Sequence, residues 1–153
     1  MTHYTRPIVA SLLALSTLAG SAHAETVSAF YGKAYYPSEA GCFSESYGTL
    51  TNICSGGAKL LKFSLIQTNA TGYYSGIVNA YGPNGLDDVS CYMVTANSDT
   101  SVGYIGPTGT LSAIGYPVDI PLGSIVVFNR GTLNLDCWVK PGGRVQNITW
   151  TRQ

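Results

Sequence analysis

Histidine is almost absent from this sequence, since only His3 and His23 occur among its 153 residues. Both precede Glu25, where we predict that the mature chain begins. A chain without imidazole has no Ser-His-Asp or Cys-His catalytic arrangement and no histidine ligand for a metal. We therefore predict no catalytic residue, no metal site and no cofactor.

Charged residues are also scarce, at 10% of the chain, and the two signs balance. Eight basic residues stand against eight acidic ones, and Arg6 lies in the predicted leader, so the mature chain has seven basic residues and a net charge of −1. Such a chain provides no basic field to attract phosphate backbones. We predict that nucleic acid is not a partner.

Long apolar runs are missing, and no stretch has the length that crossing a bilayer requires. The run Ile8–Leu18 follows Arg6 and precedes Ala22-His23-Ala24, a small-x-small cleavage signal. This arrangement is typical of a secretory signal peptide. We predict a signal peptide over residues 1–24, cleavage after Ala24, and a secreted product, extracellular or periplasmic, without a membrane span.

Sustained helical periodicity is missing too. Short runs rich in valine, isoleucine, tyrosine, phenylalanine and threonine recur between glycine and proline residues, a pattern typical of a sandwich or barrel. We predict one all-β domain over residues 25–153, a two-sheet antiparallel β-sandwich with jelly-roll-like or immunoglobulin-like connectivity. The predicted strands are Val27–Tyr35, Thr49–Ile53, Lys59–Gln67, Tyr74–Tyr81, Val89–Ala96, Thr110–Ile114, Val118–Ile120, Ser124–Asn129, Thr132–Val139 and Arg144–Thr151.

The four cysteines, Cys42, Cys54, Cys91 and Cys137, all lie in the predicted mature chain. An even number in an exported chain indicates two disulfides, for which three pairings exist. We favour Cys42–Cys54, which holds the loop Glu39–Thr49 to the next strand. We also favour Cys91–Cys137, because alternation places both side chains on the inner faces of their strands.

The last two predicted strands are joined by Lys140-Pro141-Gly142-Gly143. Proline presets φ and Gly142 accepts a positive φ, which indicates a type II turn. We predict that this turn closes a hairpin. Strict alternation fails after Val145, which predicts a bulge near Gln146-Asn147.

Two segments of the chain resemble a known family. Ser90-Cys91-Tyr92, followed later by a C-x-(aliphatic)-x-P-G-G-R motif at Cys137–Arg144, resembles small secreted bacterial proteins with four cysteines in the same order and no assigned activity. The resemblance covers most of the mature chain. It implies a disulfide-linked β-sandwich and carries over no catalytic residue.

The strand Thr132–Val139 suggests a candidate ligand-binding surface. Leu133, Leu135, Cys137 and Val139 point to one face and form the predicted core side. Asn134, Asp136 and Trp138 then form an outward row, where an indole beside a carboxylate and an amide suits a sugar ring. In the other interpretation a loop covers Trp138, and the many tyrosines pack the rim of the sandwich.

Three functions remain open at this point. The first is a secreted, non-catalytic protein that acts by surface binding to a protein or the cell envelope. The alternative is a stand-alone carbohydrate-binding module that uses Trp138 and its polar neighbours, with a glycan as partner. A small histidine-free hydrolase with two acids in a cleft is third, and the acids near Asp87-Asp88 suggest calcium as a further ligand.

Overall fold

A computed structural model describes residues 23–99 and 103–153. Over these residues the chain forms short antiparallel strands and two brief 3₁₀ helices, Ala29–Tyr31 and Pro37–Cys42. The strands are β1 Ala24–Ser28, β2 Lys33–Ala34, β3 Phe43–Ser46, β4 Thr49–Asn52, β5 Lys59–Gln67, β6 Gly72–Tyr81, β7 Val89–Ala96, β8 Gly103–Ile105, β9 Gly109–Thr110, β10 Val118–Val127, β11 Thr132–Val139 and β12 Arg144–Arg152.

The strands form two sheets, which confirms the predicted two-sheet antiparallel sandwich. Sheet A has the order β10-β6-β12-β4-β3, with β1 also on β12, and sheet B has the order β2-β5-β11-β7-β8, with β9 also on β7. From β4 onward the long strands alternate between the sheets. This alternation matches the jelly-roll-like alternative, because an immunoglobulin-like sandwich keeps its last two strands side by side in one sheet.

The core lies between the inner faces of the two sheets. The four predicted inward residues of β11 are completely buried, as are Val78, Val89 and Val145 from neighbouring strands. Leu61 and Phe63 are buried as predicted. Leu65 is only half-buried because the β5–β11 register shifts between Leu133 and Asn134, which interrupts the alternation.

Several predicted strand boundaries are wrong. The predicted strand Val27–Tyr35 is interrupted by the helix Ala29–Tyr31, which the Ser28 hydroxyl caps by accepting a hydrogen bond from the Phe30 N–H. The predicted strands Val118–Ile120 and Ser124–Asn129 are one strand, β10. Strand β10 continues through Gly123, because a β-bulge shifts its register between Leu122 and Ile125.

Other differences arise where long-range pairing decides the conformation. Only Thr110 of the predicted strand Thr110–Ile114 lies in a strand. It belongs to β9 and pairs with Ser90 of β7. Strand β3 lies in the predicted loop Glu39–Thr49, and β8 lies between the predicted strands Val89–Ala96 and Thr110–Ile114. Both are short edge strands, and each is held by one neighbour, β4 or β7.

The predicted terminal hairpin is wrong. Strand β11 pairs with β5 and β7 in sheet B, whereas β12 pairs with β1, β4 and β6 in sheet A. The turn itself is as predicted: Gly142 has φ +80°, and the Gly143 N–H donates to the Lys140 carbonyl at 2.9 Å. A type II turn splays its flanking strands, whereas hairpins favour type I′ and II′ turns. The turn therefore carries the chain from one sheet to the other.

Both predicted disulfides are confirmed. Cys91 and Cys137 are register partners on adjacent strands, with Cα atoms 4.1 Å apart and no exposed surface. Cys42 and Cys54 join the second 3₁₀ helix to the segment after β4, with Cα atoms 5.0 Å apart. The predicted bulge is also confirmed, as a register shift between Val145 and Asn147.

The disulfides favour an oxidising compartment outside the cytoplasm. Residues 1–22 of the predicted signal peptide lie outside the described residues, so its cleavage stays a prediction. In the described ranges, no helix has the length and apolarity needed to cross a membrane.

Candidate functional site

The three residues predicted to face outward, Asn134, Asp136 and Trp138, lie on the side of β11 away from the core. Trp138 is 39% exposed, as a binding surface requires. Asn134 is half-buried, and its amide donates to the Thr132 hydroxyl at 3.2 Å. Asp136 is only 7% exposed. The outward row is therefore present, but its carboxylate lies beneath neighbouring side chains.

The sheet register places partners beside this row. Asp136 lies opposite Lys62 of β5 on one side and Tyr92 of β7 on the other. Trp138 lies opposite Leu60 and Ser90 in the same two strands. Opposed side chains of neighbouring strands share one face at short distance. Three strands thus contribute to one surface.

Strand β2 adds a second exposed aromatic residue. The Tyr35 N–H donates to the Leu60 carbonyl at 2.8 Å, which extends the β2–β5 pairing by one residue beyond Ala34. Tyr35 is 47% exposed, and the Lys62 ammonium lies 5.6 Å from the centre of its ring. Tyr35 and Trp138 are two strands apart, a separation of about 10 Å along the sheet.

We name this surface the platform, defined by five residues. They are Tyr35, Lys62, Tyr92, Asp136 and Trp138. Leu60 lies between the two exposed aromatic residues. It is buried, but it is not part of the main hydrophobic core cluster. The platform therefore has two exposed rings on either side of an apolar base, and beside them a row of polar side chains from Lys62, Asp136 and Tyr92.

Burial sets the electrostatics of the platform. Loss of water around Asp136 raises the pKa of its carboxyl, and the nearby Lys62 ammonium partly opposes that rise. Within the described chain, Oδ1 of Asp136 has no hydrogen-bond partner. Burial also raises the pKa of the Tyr92 hydroxyl, the Asp136 charge adds to this, and a hydrogen bond from the Trp138 indole opposes it.

The buried carboxylate leads to a prediction about stability. The folded-state pKa of Asp136 lies above its unfolded value, so ionisation opposes folding as the pH rises through the folded pKa. We expect Asp136→Asn to raise the free energy of unfolding at pH 7 by about 1 kcal/mol, with the gain disappearing near pH 3, where both states are protonated. Urea unfolding at both pH values measures this.

A surface carboxylate provides the control for that measurement. Asp119 is exposed on sheet A, where it accepts a hydrogen bond from the Asn79 amide at 2.8 Å. Asp119→Asn should change the stability by less than about 0.5 kcal/mol. An Asp136→Asn variant that gains equally at both pH values, or loses stability at pH 7, contradicts the assignment.

A cleft adjoins the platform at the β2 edge of sheet B. Its volume is about 560 Å³, and it is open to solvent. It shares Tyr35 and Lys62 with the platform and adds Tyr31, Lys33, Ala34 and Ser64. Platform and cleft together form one continuous surface across β2, β5, β11 and β7.

The two acidic residues considered as calcium ligands, Asp87 and Asp88, have other partners. Asp88 accepts hydrogen bonds from the Asn84 and Gly85 N–H groups at 2.6 and 2.8 Å, which closes the turn before β7. Asp87 pairs with Lys140 at 2.6 Å, and this ammonium lowers the pKa of the Asp87 carboxyl. Among the described residues, no group of three or more His, Cys, Asp and Glu side chains converges.

The sequence alone did not identify Tyr35, Lys62 and Tyr92 as members of the site. Each belongs to a different strand, and only the register places it beside β11. The only local signal is the alternation along β5, which puts the Lys62 side chain on the face away from Leu61 and Phe63. That signal identifies an outward residue and leaves its neighbour on the next strand undetermined.

No family model and no curated protein matches this chain, so the resemblance to small secreted bacterial proteins stays a prediction. Solved structures do match in fold. One is the carbohydrate-binding module CBM6cm-2 of Cellvibrio mixtus lichenase 5A, in complex with cellotriose. Its TM-score is 0.56, at 12% identity over 84% of this chain and 97% of that one.

Two further structures show the same fold. The C-terminal CBM6 of a laminarinase from Zobellia galactanivorans has a TM-score of 0.51, with 9% identity over 84% of this chain and 99% of that one. The Podospora anserina GH26-CBM35 β-(1,4)-mannanase has a TM-score of 0.53, with 15% identity over 85% of this chain. The match spans only 28% of that enzyme's length. The chain thus has a β-sandwich fold similar to that of carbohydrate-binding modules.

Proposed function

We propose that this protein is a secreted, non-catalytic glycan-binding protein that holds an oligosaccharide across the platform. The observation that carries the proposal is the exposure of Trp138 and Tyr35 on one sheet face, on either side of Leu60 and next to the row that contains Lys62 and Asp136. Two rings about 10 Å apart suit an extended chain of sugars better than one sugar.

The chemistry of the platform suits a sugar. Indole and phenol rings present flat apolar faces that cover the C–H face of a pyranose, while their polar tips remain wet. The Lys62 ammonium and the Tyr92 hydroxyl supply hydrogen bonds in the row of side chains next to the rings. Asp136 lies buried between them and attracts the Lys62 ammonium.

The position of the platform supports the same function. Four of its five residues lie on regular strands, whose backbones are held by ladder hydrogen bonds, and Tyr35 is joined to β5 by its own N–H. Rigid aromatic groups on such a base lose little entropy on binding. The fold supports the proposal in general terms, because one similar structure is a carbohydrate-binding module in complex with cellotriose.

Removal of the indole tests the proposal. We expect Trp138→Ala to weaken binding to the best ligand of a glycan array at least tenfold, because stacking area is lost at a central residue. Affinity electrophoresis in gels that contain the soluble polysaccharide measures the effect. Circular dichroism then checks that the variant keeps its β-sheet signal.

An exposed tyrosine on the opposite sheet provides a matched control. Tyr73 of β6 is 60% exposed on sheet A, away from the platform, so Tyr73→Ala should bind like the wild type. Equal retention of Trp138→Ala and the wild type would place the glycan elsewhere. Binding to no glycan, together with binding to a protein or the cell envelope, would replace the proposal with the surface-binding alternative.

A further inference from the structure

We propose that the glycan held by this protein is acidic, with carboxylate or sulfate groups that lie between Lys33 and Lys62. This inference rests on the proposed function and specifies its ligand class. It starts from the β2 edge of sheet B, where the cleft opens. Lys33 and Lys62 are register partners there, and both belong to the lining of the cleft.

Two lysines opposite each other are unfavourable in the unbound protein. Like charges at directly opposed positions of neighbouring strands repel and destabilise the sheet. In the part of the chain that the structure describes, neither Lys33 nor Lys62 has an acidic side chain within 4.0 Å. The other two strand or turn lysines differ, because Lys59 pairs with Glu39 and Lys140 pairs with Asp87.

A buried carboxylate near the pair offsets its charge only in part. Asp136 attracts Lys62, but the residue is only 7% exposed and its carboxyl does not reach the surface. Lys33 is exposed on the edge strand β2, which is one strand farther from β11 than the strand of Lys62. The cleft therefore presents two positive charges to solvent, and an anionic ligand would relieve their repulsion.

The surroundings of the lysines favour a sugar over a free anion. Tyr31 and Tyr35 line the same cleft, and they are 67% and 47% exposed. Ring faces beside ammonium groups suit a ligand that has both an apolar face and a negative charge, as a uronic acid or a sulfated sugar has. The volume of about 560 Å³ accommodates such rings.

A comparison of matched glycans tests the inference. Polygalacturonate and its fully methyl-esterified form share a backbone and differ in charge, alginate supplies a second polyuronate, and a sulfated galactan distinguishes sulfate from carboxylate. We expect affinity electrophoresis to show stronger retention by at least one acidic glycan than by any neutral one. This retention should decrease as salt is raised from 50 to 500 mM, roughly as surface charge interactions do.

Variants of the lysines assign the effect to the cleft. Lys33→Gln and Lys62→Gln should each weaken acidic-glycan binding about fivefold, and Lys33→Arg should retain it. Arg152→Gln removes the same charge from an exposed position on sheet A, away from the cleft and the platform, and should bind like the wild type. Lys33→Gln should leave the unfolding midpoint unchanged or raised, because it removes a repulsion, so a loss of binding would not reflect unfolding.

The possible failures are distinguishable. If neutral and acidic glycans bind equally and Lys33→Gln has no effect, the acidic ligand class is wrong, while a Trp138-dependent interaction would preserve the proposed function. If acidic glycans bind but Arg152→Gln weakens their binding as much as Lys33→Gln does, general charge attraction accounts for binding and the cleft is not the site. If no glycan binds, both proposals fall.

Discussion

Replacement of both Cys91 and Cys137 by alanine is expected to lower the free energy of unfolding by about 4 kcal/mol. The bond closes a segment with a sequence separation of 46 residues, so its loss frees a large part of the unfolded chain. Both sulfur atoms are also completely buried, and their removal takes contacts from the core. The total free energy of unfolding of a domain of this size is about 5 to 15 kcal/mol, so this loss would be a large part of it.

The second disulfide provides the comparison. Cys42–Cys54 has a separation of only 12 residues, and both cysteines are half-buried, so its removal should cost about 3 kcal/mol. Urea unfolding of the two double alanine variants under identical conditions measures the order of the effects. A smaller loss for the Cys91–Cys137 pair than for the Cys42–Cys54 pair would contradict the prediction.

Asn52→Ala is expected to lower the free energy of unfolding by about 2 to 3 kcal/mol. Asn52 is completely buried at the end of β4, where its amide donates to the Val139 carbonyl at 2.7 Å and to the Gly57 carbonyl at 3.4 Å. Its side-chain oxygen accepts from the Cys54 N–H at 3.0 Å. Alanine leaves the buried Val139 carbonyl without this partner, and it also removes the part-buried hydrogen bonds to Gly57 and Cys54.

The measurement is the urea midpoint at an unchanged slope, which separates a loss of stability from a change in the unfolded state. Asn147→Ala is the control, because Asn147 is exposed on sheet A, and it should stay within about 0.5 kcal/mol of the wild type. An Asn52→Ala variant within the same limit would show that water replaces its hydrogen bonds.

The Cys91–Cys137 disulfide and the hydrogen bonds of Asn52 both hold the strand that carries Trp138. Cys137 and Val139 flank Trp138 in sequence, and one is bonded to Cys91 while the carbonyl of the other accepts from Asn52. The strand end that carries the indole is thus fixed on both sides. If the proposed function holds, the Cys91–Cys137 and Asn52 variants should weaken glycan binding as well as stability, because each loosens the strand that positions Trp138.

Much of the local structure follows from short-range patterns in the chain. Strands Lys59–Gln67, Val89–Ala96 and Thr132–Val139 have the predicted boundaries, because alternation, β-branched residues and flanking turn residues all agree there. The same alternation placed Cys91 and Cys137 inward, which is sufficient to favour their pairing. The outward direction of Asn134 and Trp138 followed in the same way.

Other features depend on contacts between distant residues. The turn Lys140–Gly143 was assigned correctly, but the strands around it pair with other partners: the Gly142 N–H donates to the Asn52 carbonyl at 2.7 Å, and the Lys140 N–H donates to the Asp88 carbonyl at 2.8 Å. A turn type constrains the local direction of the chain, and hydrogen bonds to remote strands then select the sheet that it enters.

By itself the sequence determined the all-β class, the two disulfides and most of the strand faces, because these depend on composition and on a period of two residues. Only the tertiary structure decided that Tyr35, Lys62 and Tyr92 adjoin Asp136 and Trp138. It also decided that Lys33 faces Lys62. Neighbours across a sheet are set by register, and register depends on which distant strands bury their apolar faces together.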